Sequence, residues 1–297
     1  MSAPRAGRLA VGVVGTGRVG SVLGAALMRA GHDVVAASGV SRESVTRATR
    51  LLPGVPLLPV PDVVERAGMV LLAVPDDALA DLVAGLAETG AWSPGQLVCH
   101  TSGAHGLDVL DPAVRRGVLP VALHPVMTFA GRPEDLARLD GVAFGATAPD
   151  ALRPVAEALV LEMGGEPVWV PDEARRLYHA ALVTGANHLV TLVNESADLL
   201  RGAGVENATR VLGPLLEAAL DNALRLGDAA LTGPVSRGDA GTVAGHLATL
   251  GEHAPDSVAA YVAMARRTAD RALASGRLDP RRAEALLDVL ASRESAT

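Results

Sequence analysis

Along the first half of the chain, short valine-rich apolar runs alternate with longer stretches whose apolar positions recur at three- and four-residue steps. The strand-length runs are LAVGVVG, HDVVAAS, GMVLLAV, QLVCHTS, VLPVALH and VAFGA. Between several of them lie segments of helical period such as SVLGAALMRAG and DALADLVAGLAETG. Continuous apolar runs of strand length suit strands buried on both faces, and their alternation with helices predicts βαβ units around a parallel sheet. After EPVWVPDE the pattern changes. From Glu173 onward it is Ala/Leu-rich with helical period, punctuated by Gly202, Gly204, Gly213, Gly227 and Gly276. The expected architecture is an α/β domain over residues 1–171 followed by an all-helical domain over residues 172–297.

The first apolar run leads into Gly15-Thr16-Gly17-Arg18-Val19-Gly20 and then into an apolar helix. Strand, GxGxxG and helix in that order form the dinucleotide-binding (Rossmann) fingerprint. Gly15 permits the tight turn, Gly17 lets the backbone approach a pyrophosphate, and Gly20 allows close helix–strand packing. The free N–H groups of the helix then face the phosphates. The second strand ends in Ala36-Ala37-Ser38-Gly39-Val40-Ser41-Arg42, with no acid before Glu43. An NAD site places Asp or Glu here for the ribose 2′-hydroxyl, whereas Ser38, Ser41 and Arg42 suit a 2′-phosphate. The expected cofactor is therefore NADP. A solvated serine loop with a surface arginine satisfies the same residues.

Two further junctions fall on the carboxyl edge of the sheet, where such folds bind ligands. Val74-Pro75 ends one strand, and Asp76 or Asp77 reads as the N-cap of the next helix. Cys99-His100-Thr101-Ser102-Gly103 ends another. Adjacent strand residues face opposite sides, so Cys99 reads as a buried strand residue and not as the partner of His100. Thr101, Ser102 and Gly103 are expected beside the nicotinamide.

Reduction by hydride also needs a proton donor. The chain contains neither lysine nor isoleucine, and its 26 basic residues are all arginine. Without an ammonium acid, histidine is the first candidate. His124, in VALHPVMTF, follows a strand, and His179, in RLYHAAL, opens the first long helix of the second domain. Each satisfies a structural role equally well. On that helix, expected over 174–200, Thr184, Asn187, His188, Thr191 and Glu195 recur at three- and four-residue steps as a polar stripe on an otherwise buried surface. Further on, LTGPVSRGDAGTVAGHL interrupts the helical pattern and gathers Arg237, Asp239, Thr242 and His246.

Composition narrows the classes. Aromatic residues make up only 2% and the net charge is −7 without a basic cluster, which argues against nucleic-acid binding. A single cysteine permits no internal disulfide, no apolar run approaches a membrane span, and no leader pattern is apparent. A soluble cytoplasmic protein without a metal site is expected.

The fingerprint, CHTSGA, LHPVMTF, LYHAALVTGANHL and LTGPVSRGDAGTV occur in an order that resembles the Rossmann-like oxidoreductases with a C-terminal DUF2520 domain. These are related to 6-phosphogluconate-dehydrogenase-like, pyrroline-carboxylate-reductase-like and ketopantoate-reductase-type enzymes. The resemblance implies NADP in the first domain, a helical second domain and a homodimer built through it. It also implies an NADPH-dependent reductase of a small carboxylate-bearing keto acid, 2-dehydropantoate foremost. His179 or His124 would protonate the oxygen, Asn187 and Thr184 would meet the carbonyl, and Arg237, Asp239 and Thr242 would form a carboxylate-binding loop. Two other readings stand beside it: reduction of a cyclic imine, and a non-catalytic NADP-binding sensor or scaffold. Related enzymes carry a lysine near the position of His179; this chain has none.

Overall fold

The computed structural model describes residues 7–294. Its contacts divide the chain into two compact units, the first ending at Gly185 and the second beginning at Ala186.

The first unit runs β1 (Ala10–Val14), α1 (Arg18–Arg29), β2 (Asp33–Ser38), α2 (Arg42–Leu51), α3 (Val60–Arg66), β3 (Met69–Leu72) and α4 (Asp76–Glu88). It continues with β4 (Leu97–His100), α5 (Asp111–Val114), β5 (Leu119–Pro125), α6 (Glu134–Arg138), β6 (Ala143–Thr147), α7 (Arg153–Glu162), β7 (Glu166–Trp169) and α8 (Arg175–Leu182). The strands form one seven-stranded sheet in the order β2-β1-β3-β4-β5-β6-β7. All six expected strands form, and β1 to β5 pair in parallel.

Alternate residues of these strands serve opposite faces, as the two-residue period requires. Val11, Val13, Leu71, Cys99 and Leu123 pack with Leu23 and Leu27 of α1 and Leu159 of α7. Val14, Val70, Leu72 and Val98 pack on the other side with Val63 of α3 and Leu79, Val83 and Leu86 of α4. Burying both faces explains the near-continuous valine runs, each such side chain contributing about 1.5–3 kcal/mol relative to exposure.

Two features depart from the expected parallel sheet. β6 pairs antiparallel with β5, because the connection between them carries only the five-residue α6 and no full crossover helix. β7 is an additional strand, parallel to β6, in the EPVW segment. The first unit also continues beyond Pro171, since α8 packs its opening turn, with fully buried Arg175, against the sheet.

The chain leaves α8 through a π-helical turn, Val183–Asn187. The second unit contains α9 (His188–Gly202), α10 (Ala208–Leu226), α11 (Pro234–Arg237), α12 (Ala240–His253), α13 (Val258–Ala274) and α14 (Pro280–Glu294). Its main core joins Val243 and Leu247 of α12, Val262 and Ala269 of α13, and Leu286 and Leu290 of α14. α9 and α10 share only a small cluster of Ala197, Ala208 and Leu212. The expected single helix over 174–200 is thus interrupted, and its later part is not buried: within α9 only Ala197 is. The π turn interrupts the three- and four-residue steps on which the stripe from Thr184 to Glu195 depends. Among the described residues, no helix is long and apolar enough to cross a membrane.

Candidate functional site

Strand order reverses around β1, which lies between β2 and β3, and the crevice outside the carboxyl ends of β1 and β3 is the ligand position of such sheets. The glycine loop occupies it. Gly15 has φ +96°, and a Cβ there would lie 2.6 Å from the Ala73 carbonyl oxygen. A Cβ on Gly20 would lie 2.1 Å from the Gly15 oxygen, so α1 can start here only with glycine. Gly17 differs: an added Cβ would meet nothing within 4 Å, which leaves the loop open on that side. The first turn of α1 carries no acid and its first N–H groups have no side-chain cap. Beneath it the buried Thr16 hydroxyl has no partner among the described residues. Open backbone, uncapped amides and an unpartnered hydroxyl suit the oxygens of a pyrophosphate.

At the end of β2 the expected trio separates by role. The buried Ser38 hydroxyl accepts from Gly15 N–H at 3.3 Å and so shapes the glycine loop. Ser41 caps α2 by accepting from Ser44 N–H at 3.1 Å. Arg42, in the first turn of α2, is exposed. Arg47, one turn further on and unnoticed in the sequence, reaches the Thr16 carbonyl oxygen at 3.4 Å. Arg47 thus reaches the glycine loop from α2, while Arg42 stands exposed at the start of the same helix.

A cleft of about 410 Å³ opens from the glycine loop and is lined by Gly17, Arg18, Val19, Val74, Pro75, Thr101 and Ser102, together with Gly103, His124 and His179. Asp76 also lines it, but the reading of Asp76 or Asp77 as N-cap is corrected. Pro75 occupies the cap, and both aspartates sit in the first turn of α4, where their charge favours the helix dipole without a capping bond. Thr101 donates its hydroxyl to the Leu72 oxygen at 3.4 Å. The Ser102 hydroxyl accepts from Ala104 and His105 N–H at 3.2 and 3.1 Å, which folds the loop after β4 on itself.

Two imidazoles edge onto that loop. A Cβ on Gly103 would lie 2.6 Å from His179 Cδ2 and 3.0 Å from His124 Nε2. The rings are nearly perpendicular, with centroids 5.9 Å apart. His124 Nδ1 lies 2.9 Å from the Tyr178 hydroxyl, and Tyr178 in turn rests on Gly145 of β6, where a Cβ would come within 2.3 Å of the phenolic oxygen. Arg175 anchors the whole arrangement. Its guanidinium donates to the carbonyl oxygens of Ser102 (2.5 Å), His105 (2.5 Å) and Gly145 (3.3 Å) and to the Thr147 hydroxyl (3.0 Å).

Burial, then the charge of Arg175, then His179 push His124 down to about 4, against a smaller opposing pull from Asp76. His100, buried on the other face of β4 with Nε2 3.1 Å from the Gly106 oxygen, is pushed down to about 3, first by burial and then by Arg175. Both imidazoles are therefore neutral at neutral pH. Burial raises the Tyr178 phenol, while Arg175 and the Gly145 backbone pull it back. Arg175 and Tyr178 escaped the sequence reading. Their signal was the i, i+3, i+4 spacing of Arg175, Tyr178 and His179 on one helix face.

Residues 1–125 match the Rossmann-like domain family, and residues 142–268 match the family described as a domain of unknown function, DUF2520. The chain joins a Rossmann-like domain to a DUF2520 domain. The DUF2520 segment begins one residue before β6, so the histidine cluster draws His124 from the Rossmann-like segment and Tyr178 and His179 from the DUF2520 segment. No curated protein matches the chain. Among solved structures, a Bacteroides fragilis protein assigned to the NADP oxidoreductases is 21% identical, with TM-score 0.73 over 89% of this chain and 98% of that one. An imine reductase from Myxococcus stipitatus in complex with NADP+ is 18% identical, with TM-score 0.64 over 88% and 94%. A Plasmodium falciparum pyrroline carboxylate reductase with NADP bound is 12% identical, with TM-score 0.54 over 91% and 97%. Likeness at these identities establishes a shared fold.

The remaining expected residues lie elsewhere in the DUF2520 segment. Thr184 sits in the π turn and donates its hydroxyl to the Ala180 oxygen at 2.8 Å; Asn187, the last residue of that turn, is exposed. In the second unit, Asp239 caps α12, accepting from Thr242 N–H at 3.1 Å and from the Thr242 hydroxyl at 2.8 Å. Those two bonds hold its carboxyl below the usual range. Pro234 begins the short α11, and Gly238, at φ +71°, terminates it. The Gly238 and Asp239 amides bond to Val235 and Pro234, so this loop does not present a row of free N–H groups. Arg237 is exposed, and His246 pairs with Tyr261 at 2.8 Å. Among the described residues, no group of three or more His, Cys, Asp or Glu could hold a metal ion.

Proposed function

We propose that this chain is an NADPH-dependent reductase of a small molecule bearing a polarised C=O or C=N bond. One observation carries the reading: the open side of the glycine loop, His179 and the neutral His124 line a single cleft. The bound dinucleotide supplies the hydride. The loop from Gly15 to Gly20 and the start of α1 hold its pyrophosphate, Arg42 and Arg47 hold the 2′-phosphate, and Val74, Pro75, Thr101 and Ser102 flank the nicotinamide. His124 or His179 delivers a proton to the oxygen or nitrogen as the carbon is reduced. The fold shared with NADP-bound imine and pyrroline carboxylate reductases supports the cofactor assignment.

A keto acid such as 2-dehydropantoate is the first substrate to test. A cyclic imine is the second, favoured by the neutral His124: a protonated imine needs no cationic acid. We further propose a homodimer through the second unit, which would cover the exposed Leu189, Val190, Leu215, Leu220 and Leu224 of α9 and α10.

The test is loss of nicotinamide absorbance when purified protein meets NADPH and either substrate class. Nucleotide binding without turnover on any keto acid or imine refutes the reductase and leaves a binding protein. Arg42→Ala is expected to weaken NADPH about 10–100-fold, the worth of a charge-assisted contact, and to leave NADH unchanged. Equal loss of both refutes the 2′-phosphate assignment.

A further inference from the structure

We propose that Tyr178 is the terminal proton source of this site, passing its phenolic proton through His124 while the buried Arg175 guanidinium carries the charge left behind. The inference rests on the reductase reading above and assigns its proton path.

A neutral imidazole has one protonated nitrogen and one acceptor. His124 Nδ1 is 2.9 Å from the Tyr178 hydroxyl, so either the phenol donates to Nδ1 or Nδ1–H donates to the phenol. The surroundings of the phenolic oxygen decide the direction. Its other neighbours are the Gly145 backbone and the Arg175 cation, both of which favour negative charge on that oxygen against the larger opposing effect of burial. With donors and positive charge on the oxygen side, the hydroxyl proton is left for Nδ1. The proton of the neutral ring then sits on Nε2, the ring nitrogen nearest Gly103 and the cleft.

A lone neutral imidazole is a poor acid because it would have to become an anion. The Tyr178 contact removes that obstacle. As Nε2–H breaks and its proton bonds to the substrate oxygen or nitrogen, the Tyr178 O–H breaks and its proton bonds to Nδ1. The imidazole is neutral before and after, and the negative charge ends on the phenolate, whose acid is far stronger than imidazole N–H. Together with hydride addition at carbon, C=X becomes CH–XH. Water returns one proton to the site after product leaves.

Arg175 fits this role in a way that packing alone does not require. It is fully buried, yet the four groups that accept its hydrogen bonds are neutral carbonyl and hydroxyl oxygens. The carboxylates that offset its charge from a distance are Asp172 and Asp76, and an ionised Tyr178 would offset it further. Tyr178 lies one turn along the same helix, where a phenolate forms only during the reaction. The charged or titratable groups facing His124 are Arg175, His179, His100, Asp76 and Tyr178, and Asp76 is the one that favours the imidazolium.

The experiment begins with nucleotide-free protein labelled with ¹⁵N-histidine, the His124 signals assigned by their loss in His124→Gln. At neutral pH, His124 is expected as the Nε2-protonated tautomer, shifting toward a tautomer mixture in Tyr178→Phe. That variant keeps the ring over Gly145 and is expected to lower kcat about 10²–10⁴-fold while KM and NADPH affinity hold. It should also abolish the fall in turnover that accompanies phenol ionisation at high pH. An Nδ1-protonated His124, or a kcat within twofold of wild type in Tyr178→Phe, overturns the relay while leaving the reductase intact. The expected tautomer without NADPH oxidation on any carbonyl or imine overturns the reductase reading and, with it, the catalytic use of the relay.

Discussion

Replacing Gly103 by alanine inserts a methyl group between two imidazole rings. The new Cβ would lie 2.6 Å from His179 Cδ2 and 3.0 Å from His124 Nε2. Comfortable contact needs about 3.5–4.0 Å, so at least one ring must retreat by about 1 Å. The backbone cannot yield in its place. Ser102 and His105, on either side, are bonded through their carbonyl oxygens to Arg175, and the Ser102 hydroxyl braces the turn. Nor does alanine strain the backbone, because Gly103 is not among the glycines with positive φ. Overpacking of this kind costs about 1–3 kcal/mol, and a 1 Å displacement at a reacting group costs about 10²-fold in rate. Gly103→Ala is therefore expected to lower the urea midpoint and kcat together while leaving NADPH affinity near wild type. Placing it in a His179→Ala background removes the closer clash and should recover most of the lost stability. If Gly103→Ala loses as much stability without His179 as with it, the rings do not crowd Gly103, and the site geometry argued above is wrong.

Acidification should destabilise the fold before the carboxylates titrate. His100 and His124 are held neutral down to about 3 and about 4, whereas in the unfolded chain imidazoles protonate near 6.5. Between those values the unfolded state binds more protons, so stability is complete above about pH 6.5 and falls below it, with a slope of about 1.4 kcal/mol per pH unit for each group. Urea midpoints that stay constant from pH 7 to pH 5 would contradict this. Cys99 is fully buried in β4 and its thiol is pushed up to about 12, chiefly by burial. A thiol reagent should leave the native protein unmodified and label one site per chain after denaturation; rapid stoichiometric labelling of native protein would show that β4 is misplaced.

The strands from β1 to β5 were legible because burial on both faces writes a continuous apolar run into the sequence. β7 was not, since its residues are only half covered and Pro167 breaks the apolar run. The glycine loop was legible because its geometry is local: turn, close approach and helix start fall within six residues. His124 and His179 were each recognisable as candidates, but their meeting was not, because it depends on packing α8 beside β5, with Tyr178 54 residues after His124. Arg175 carries no local sign of burial, and only the fold shows it buried. Hydroxyl groups gave no local sign of their partners. Ser38, Ser41, Ser102 and Thr242 resemble ligand contacts in sequence, and each is engaged with nearby backbone or with a capping carboxylate. No one-dimensional pattern reveals which amide a hydroxyl will satisfy.

The position of β6, β7 and α8 bears on how such a chain can be cut and recombined. By family resemblance they belong to the DUF2520 segment, yet they complete the sheet and core of the first unit. A chimera joined at the family border would separate β5 from its antiparallel neighbour, leave an edge strand unpaired and take Arg175 away from the loop it braces. Exchange after Gly185 would move a helical module alone and leave the imidazole cluster whole. For this architecture the inherited segments and the units that can be swapped are not the same pieces of chain.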